Sequence, residues 1–511
     1  MQERTRRIAR STMMLYIRTF ITMIVGIYTG RVLLEALGID NYGIQNAVGS
    51  IIGFSSIITG AMTQAGSRYI TYALGRDNLA GQRRVFATAV NAQILLALIS
   101  IGALETFGLW WLNCEATIPE GRMYAANWVF HASVITLAIS LIAVPYSSCI
   151  VAHEKFSLYA YTGIVDVILK LAIVYAILNY GGDRLILYSS LGVFVCLGMS
   201  TFYCIYSHDH FPEARYRPAV DRSLLKEMTQ FSGWNMLNHS SWIMCTSGVN
   251  MLVNTFFGVV YNAARGVAGT VNGAVQTFVG TFTTAFVPQI TKSYAAGDYD
   301  YCYVLVNRGI RYTWLLMYVF IVPVFVEAET LLGLWLVEVP PMSVLFLRFA
   351  LFESLALSSG QPLLTLIQAD GNVKKYTVCA ALYAGLIFPL VWIGFRLGAP
   401  VWAAYPVFIF IFFTINIIRL WILSQNTTYD WRTYVNDVLR LCLPVSIVSF
   451  VLPLLVSHYW QPSLLRFFVV SAGSVIYTSV VIYLMGLKPD ERVLLREKVR
   501  VLSTRMLHGR A

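Results

Sequence analysis

VGSIIGFSSIITGAMTQAGSRYIT (residues 48–71) lies over AGTVNGAVQTFVGTFTTAFVPQIT (residues 268–291) when the chain is shifted by 220 positions. Gly49 meets Gly269, Gly53 meets Gly273 and Gly60 meets Gly280. Thr63 meets Thr283, Ala65 meets Ala285, Ile70 meets Ile290 and Thr71 meets Thr291. The same shift sets LGIDNYG near FGVVYNA, with Gly38 on Gly258. Chance supplies a few such matches; three glycine coincidences at helical positions are harder to obtain that way. Both segments are apolar and about as long as a bilayer core is thick, so each reads as a membrane helix.

The rest of the chain is of the same kind. It has 511 residues, 57% hydrophobic and 12% charged, with mean hydropathy +0.64; a soluble domain would carry about 25% charge. The expectation is an all-α polytopic membrane protein. Fourteen transmembrane helices are predicted, at 11–33, 42–65, 86–111, 124–148, 157–179, 185–206, 229–256, 261–287, 309–332, 342–367, 376–396, 400–423, 435–457 and 464–486. MQERTRRIAR runs into the first without a small-residue cleavage pattern, so that helix is expected to be retained. With the N-terminus inside, the inner segments hold 26 Lys and Arg and the outer loops only Arg122, Arg184 and Arg396. That asymmetry predicts both termini on the cytoplasmic side. Eight cysteines give no CxxC or Cys/His cluster, and only Cys114 falls in an outer loop, so neither a disulfide framework nor a zinc site is expected.

The repeat pairs spans 1–6 with spans 7–12. Six spans per copy is an even number, so the two copies share one orientation and form a parallel repeat. The expected organisation is an N-lobe over 1–206, a cytoplasmic linker over 207–228, a C-lobe over 229–424, two added spans within 425–487 and a basic tail over 488–511. The tail reads either as a helix docking on anionic headgroups or as a charged end that fixes topology.

Gln45, Gly49, Gly53, Ser56, Gly60 and Gln64 recur at three- and four-residue steps, so they share one face of span 2. Span 8 carries Arg265, Gly269, Gly273, Gln276, Gly280 and Thr284 at the equivalent positions, with Asn262 and Asn272 close by. Small residues let membrane helices approach closely. The interleaved Gln and Arg suggest a stripe that packs along one edge and lines water along the other. Span 7 adds Asn235, Asn238, Asn250 and Asn254, and span 1 adds Arg18 and Arg31. An arginine at mid-helix costs at least ~2.5 kcal/mol on insertion scales. Arg18 lies about 10 Å into its span, which predicts a wet interior or a buried partner. Neither Arg18 nor Arg265 has an acidic residue three or four positions away. Guanidinium groups without acids suit an anion, and their planar fork matches phosphate oxygens. The candidate substrate ligands are therefore Arg18, Arg31 and Arg265, with snorkelling to the interface as the other reading of Arg31. Gln45, Gln64, Asn238, Asn250, Asn254, Asn272 and Gln276 are the candidate polar lining. Asp166 and Lys170, four residues apart, read as a neutralising pair or as an ion-coupling site; Glu353 is a weaker candidate of the same sort.

GxxxxGK[ST] is absent, which argues against direct ATP drive, and the outer loops are too short to carry a Ser/His/Asp set. No cofactor, metal or nucleic-acid partner is expected. Drive would come from Na+, H+ or the membrane potential.

The stretch LYIRTFITMIVGIYTGRVLLEALGIDNYGIQNAVGSIIGFSSIITGAMTQAGSRYITYALG resembles the multidrug/oligosaccharidyl-lipid/polysaccharide exporter superfamily, and within it the oligosaccharide flippases of polysaccharide biosynthesis. The resemblance rests on a basic N-terminus, a span 1 arginine, LG…YG in the first outer loop and a small-residue span ending in SRYIT. It implies two six-helix lobes in a V around a cavity lined by spans 1, 2, 7 and 8. Superfamily members with two extra C-terminal helices and cationic cavities make Arg18 and Arg265 the positions that carry over. The resemblance implies a flippase of undecaprenyl-diphosphate-linked oligosaccharide in a bacterial cytoplasmic membrane, serving surface polysaccharide or lipopolysaccharide O-antigen assembly. It would work as a monomer among membrane lipids and beside a polysaccharide polymerase and other assembly proteins. The alternatives are a cation-coupled multidrug exporter of the same superfamily, and, from another class, a membrane polysaccharide polymerase or acyltransferase.

Overall fold

A computed structural model of the chain describes residues 2–55, 66, 69–74, 78–153, 155–217, 221–226, 228, 240–284, 286–371, 373–493 and 496–497, with side chains from residue 18 onward other than 156, 284 and 288. The described residues are helical and contain no strand. The helices are α1 (Gln2–Phe54), α2 (Leu79–Cys114), α3 (Met123–Ala152), α4 (Phe156–Leu178), α5 (Arg184–His210), α6 (Val249–Phe257), α7 (Val259–Thr284) and α8 (Val287–Ala295). They continue with α9 (Tyr299–Val326), α10 (Ala328–Trp335), α11 (Ser343–Asp370), α12 (Val373–Arg396), α13 (Val401–Asn426), α14 (Trp431–Tyr459) and α15 (Leu464–Gly486). Among the described residues eleven helices are long and apolar enough to cross a membrane. The expected spans 42–65 and 229–256 run into residues outside those described, as do Gln64, Asn235, Asn238 and most of the 488–511 tail. The expected span 261–287 falls on α7, whose many Gly, Thr and Asn lower its hydropathy.

α1 covers the first predicted span and the first part of the second, as far as Phe54. The loop expected between them is helical except at Gly38, where φ is 77° and ψ 169°. Gly258 breaks the chain between α6 and α7 with φ 89° and ψ 178°. L-residues with a side chain essentially never adopt this conformation, which makes glycine the residue for both joints. The shift that aligns the two sequence segments thus aligns two copies of one backbone break.

The chain packs as two compact units. The first comprises Met1–Val271, Leu336–Phe346 and Val378–Phe408; the second comprises Asn272–Trp335, Leu347–Thr377 and Ile409–Ala511. In the first unit, the part of α1 after Gly38 crosses α6 and α7 at close range. A Cβ on Gly43 would lie 2.2 Å from the Val259 carbonyl oxygen, so glycine is what permits the crossing. The outer-loop cations predicted from sequence are also fixed here. Arg122 makes a two-pronged pair with Asp183 at 2.7 and 3.1 Å and donates to Asn41 Oδ1 at 2.9 Å. Arg184 donates to the Ala36 carbonyl at 3.1 Å. The start of the 207–228 linker is pinned to α2 and α3. Arg83 Nε donates to the Pro212 carbonyl at 3.0 Å, His153 stacks on Phe211 at 4.1 Å, and His153 Nε2 contacts buried Glu213.

In the second unit α14 and α15 are fastened to α9 by two ion pairs. At one end Arg311, 1% exposed, pairs with Glu491 and donates to the Asp437 carbonyl at 3.1 Å. At the other end Glu327, also 1% exposed, pairs with Arg466 at 3.0 Å and accepts from Thr330 at 2.7 Å. Sixteen residues of helix separate Arg311 from Glu327, about 24 Å. Trp314, Tyr318 and Phe325 pack between them against Ser446 and Phe450.

Removing one member of a buried ion pair leaves the other charge uncompensated, at about 3–5 kcal/mol. Glu327→Leu is therefore expected to lower the unfolding temperature of the detergent-solubilised protein by several degrees, and Glu327→Leu/Arg466→Met to recover most of that loss. A double variant no better than the single one contradicts the pairing. A pH effect follows from Asp183. Its partial burial opposes ionisation, but the Arg122 hydrogen bond, the Ile186 and Leu185 N–H groups and the Arg122 charge outweigh this and hold the carboxyl below the usual 3.8. A depressed carboxylate stabilises the fold above its unfolded value and loses that contribution as pH falls through the lower folded value. Below 3.8 the wild type should lose thermal stability more steeply than Arg122→Gln, which lacks the pair; parallel pH profiles contradict this.

Candidate functional site

Four helices of the first unit line a partly open cavity of about 650 Å3 whose walls mix polar and apolar surface. Along α4, Tyr159, Gly163, Asp166 and Lys170 recur at steps of four, three and four and face it together. α5 contributes Ser189, Gly192, Cys196 and Tyr203 at similar steps. α3 contributes a hydroxyl wall: Ser133, Thr136 and Ser140 each donate to the carbonyl four residues back at 2.7–2.8 Å. With their protons engaged, those oxygens present acceptor lone pairs to the cavity.

α1 supplies the cation. Arg18 lines the cavity with its guanidinium 4.5 Å above the Tyr159 ring. It fills the space left by the missing side chain of Gly163, where a Cβ would lie 2.3 Å from Arg18 Nε. Among the described residues Arg18 makes no ion pair. Lys170 donates to Asp166 at 2.8 Å. The charged residues lining the cavity are thus two cations and one carboxylate.

Gln45 and Gly49 of α1 line the same cavity, and Gln45 Oε1 is buried with no hydrogen-bond partner among the described residues. Arg31, about 20 Å further along α1 than Arg18, is half-buried and does not line it. Glu35 lies one turn on from Arg31, though the two form no ion pair among the described residues. Arg265 is on α7 at the repeat equivalent of Gln45. Its guanidinium stacks 5.3 Å from the Tyr405 ring and 5.9 Å from Phe408, and its Nη1 is buried with no hydrogen-bond partner among the described residues.

Of the span 7 asparagines, Asn250 and Asn254 are among the described residues, and Asn250 lies where α6 crosses α1. Asn250 donates to the Asn46 carbonyl at 3.4 Å and to Ser50 Oγ. Asn254, expected on a cavity wall, is fully buried and accepts from the Thr117 N–H at 3.0 Å. In the second unit Gln276 donates to Ser354 at 2.6 Å and Ser354 to Asn272 at 2.6 Å, joining α7 to α11. Glu353, half-buried, is the residue before Ser354. Gln64 and Asn238 are outside the described residues.

Among the described residues the buried cations Arg311, Arg466 and Arg419 were not singled out from sequence, and the first two are ion-paired as described above. Arg419 of α13, 5% exposed, donates to the Tyr376 hydroxyl at 3.0 and 2.7 Å and to Asn416 Oδ1 at 2.9 Å. No carboxylate pairs with it among the described residues.

Neither a protein-family model nor a curated protein sequence matches the chain. Solved structures do. A lipid II flippase, MurJ, in an inward closed conformation superposes with TM-score 0.67 at 12% identity, over 92% of this chain and 98% of that one. The chain adopts the fold of the multidrug/oligosaccharidyl-lipid/polysaccharide exporter superfamily. DinF-BH, a MATE multidrug transporter solved with R6G, gives TM-score 0.60 at 15% identity, over 83% of this chain and 97% of that one. A superfamily transporter from Pyrococcus furiosus, described as having a binding pocket of reverse polarity, gives 0.57 at 11%, over 81% and 95%. These neighbours are transporters, and they include both a flippase and a drug exporter.

A cation over an aromatic ring contributes about 0.5–1 kcal/mol at a partly exposed site. Gly163→Ala should displace the Arg18 guanidinium and lose about that much, with no further loss in an Arg18→Ala background. Thermal unfolding of the four proteins of this double-mutant cycle checks it. Additive losses would mean that Gly163 and Arg18 act independently.

Proposed function

We propose that the protein is a flippase that moves diphosphate-linked oligosaccharide lipids across a bacterial cytoplasmic membrane by alternating access. The observation that carries this reading is Arg18, a guanidinium lining a cavity with an aromatic ring beneath it and no acid paired to it among the described residues. Such a group can take phosphate oxygens through charge-assisted hydrogen bonds. The hydroxyl wall of α3 offers acceptors to sugar hydroxyls. Arg265 is a second cation held by aromatic rings with a free donor. Both termini would be cytoplasmic, following the lysine and arginine asymmetry. The lipid-linked unit would come from, and go to, other assembly enzymes, a polymerase among them, and the pathway would lie within one monomer. Asp166 with Lys170, and Glu353, are the groups through which Na+, H+ or the membrane potential could act.

A cation-coupled drug exporter is the second reading, favoured by the carboxylate Asp166 on the cavity wall. Two cations against one carboxylate make that cavity a poor host for a cationic drug.

The test is complementation of a flippase-deficient strain by the wild type, Arg18→Ala and Arg18→Lys, with expression of each confirmed. Surface glycan and accumulated lipid-linked units are the readouts. Wild type should restore the glycan, Arg18→Ala should lose about tenfold or more, and Arg18→Lys, with charge but no fork, should fall between. Failure of the wild type, together with raised resistance in a drug panel, would favour the exporter. Equal restoration by all three would remove Arg18 from the site.

A further inference from the structure

We infer that the seam between α4 and α5 is a lateral doorway for the hydrocarbon chain of an anionic phosphate-bearing lipid whose headgroup occupies the Arg18 cavity. On the face of α4 and α5 opposite that cavity lies an apolar groove of about 600 Å3. Val165 and Leu169 form one wall and Phe194, Val195 and Phe202 the other. From Leu158 to Ile173 the groove follows α4 for about 22 Å, most of a ~30 Å hydrocarbon core. Ile173 and Met199 line both the groove and the Arg18 cavity, so at those positions the partition is a single apolar side chain. Gly192 faces the cavity and Gly198 the groove, and a Cβ on either would meet nothing within 4 Å. Toward the expected inner end the seam is bridged by Tyr203, whose hydroxyl donates to Thr162 at 2.9 Å.

The occupant follows from chemistry on the two sides of this partition. Inside are Arg18, Lys170 and Asp166, with cations in excess. Outside is a trough whose wall residues are almost wholly apolar. A molecule that satisfies both is an amphiphile with an anionic head and a long chain. A free phosphate would leave the groove unused, and a neutral lipid would leave Arg18 without an anion. The doorway lets the head enter the protein while the chain never leaves the bilayer, which avoids the cost of drawing a long apolar chain through a polar interior. This rests on the proposed reading of the cavity as the place of an anionic head.

The test uses the full chain in phosphatidylcholine nanodiscs holding a small fraction of undecaprenyl diphosphate. A benzophenone amino acid replaces Phe194, which is 67% exposed, so folding is little disturbed. After irradiation, mass spectrometry reads which lipid is attached. The expected result is about tenfold enrichment of undecaprenyl diphosphate over its share of the bilayer, lost in Arg18→Gln and absent for undecaprenol. Adducts in proportion to bilayer composition, or enrichment unchanged by Arg18→Gln, would overturn the doorway, since the groove would then hold ordinary bilayer lipid. Met199→Trp, which thickens the partition, should reduce both enrichment and complementation. Wild-type complementation without enrichment overturns the doorway and leaves the flippase reading standing. Enrichment that depends on Arg18 without complementation supports the doorway and removes the flippase.

Discussion

A guanidinium inside a bilayer must be compensated by protein, because hydrocarbon offers it neither charge nor hydrogen bonds. That constraint sorts five arginines of this chain into three kinds. Arg311 and Arg466 meet carboxylates and fasten α14 and α15 to α9. Arg419 meets only neutral acceptors, a tyrosine hydroxyl and an amide oxygen, and is locked by them. Arg18 and Arg265 lie against aromatic rings, as Arg311 and Arg419 also do, but form no ion pair among the described residues, and a ring stabilises a cation while leaving its N–H groups available. The first two kinds have their hydrogen-bonding capacity largely spent within the protein. The third keeps donors in hand, and it is the kind that can greet an anion.

The repeat explains how such different roles arise on one scaffold. Gly38 and Gly258 give the two copies the same joint, and the helix after each joint presents small residues to its neighbours. Gly43 permits the crossing of α1 with α7, while Gly49 of the same helix lines the cavity. The backbone symmetry is not carried into charge: Gln45 in one copy is Arg265 in the other.

Much of the fold was legible because membrane helices announce themselves by length and apolarity, and the joint because only glycine serves there. The linkage within α1 was not, since a run of residues such as LGIDNYG reads as a loop although a single glycine suffices to turn the helix. The site was legible in part. Arg18 stood out as a lone charge in an apolar run. Gln45, Asp166 and Lys170 of its walls stood out too; that they share one cavity with Arg18 did not, because Tyr159, Gly163 and the hydroxyls of α3 that complete it carry no such signal. Asn254 shows the limit of a polar stripe: spacing gives the face, but whether that face meets water or another helix is decided by the neighbour, here Thr117, far away in sequence. Arg419 was hidden for the same reason, its tyrosine lying 43 positions upstream.

Arg18 and Arg265 also differ in height along their helices. Arg18 precedes the Gly38 joint by twenty residues, about 30 Å of helix, whereas Arg265 follows the equivalent joint by seven, about 10 Å. On the proposed reading, an anionic head received beside Arg18 would meet Arg265 only after travelling most of the membrane thickness. Two cations at one level would hold a diphosphate strongly and release it slowly. Set apart in depth, each binds with part of the available attraction, and the second favours departure from the first. A transporter needs its ligand bound well enough to enter and loosely enough to leave, and a pair of staggered arginines meets that requirement better than a single strong site.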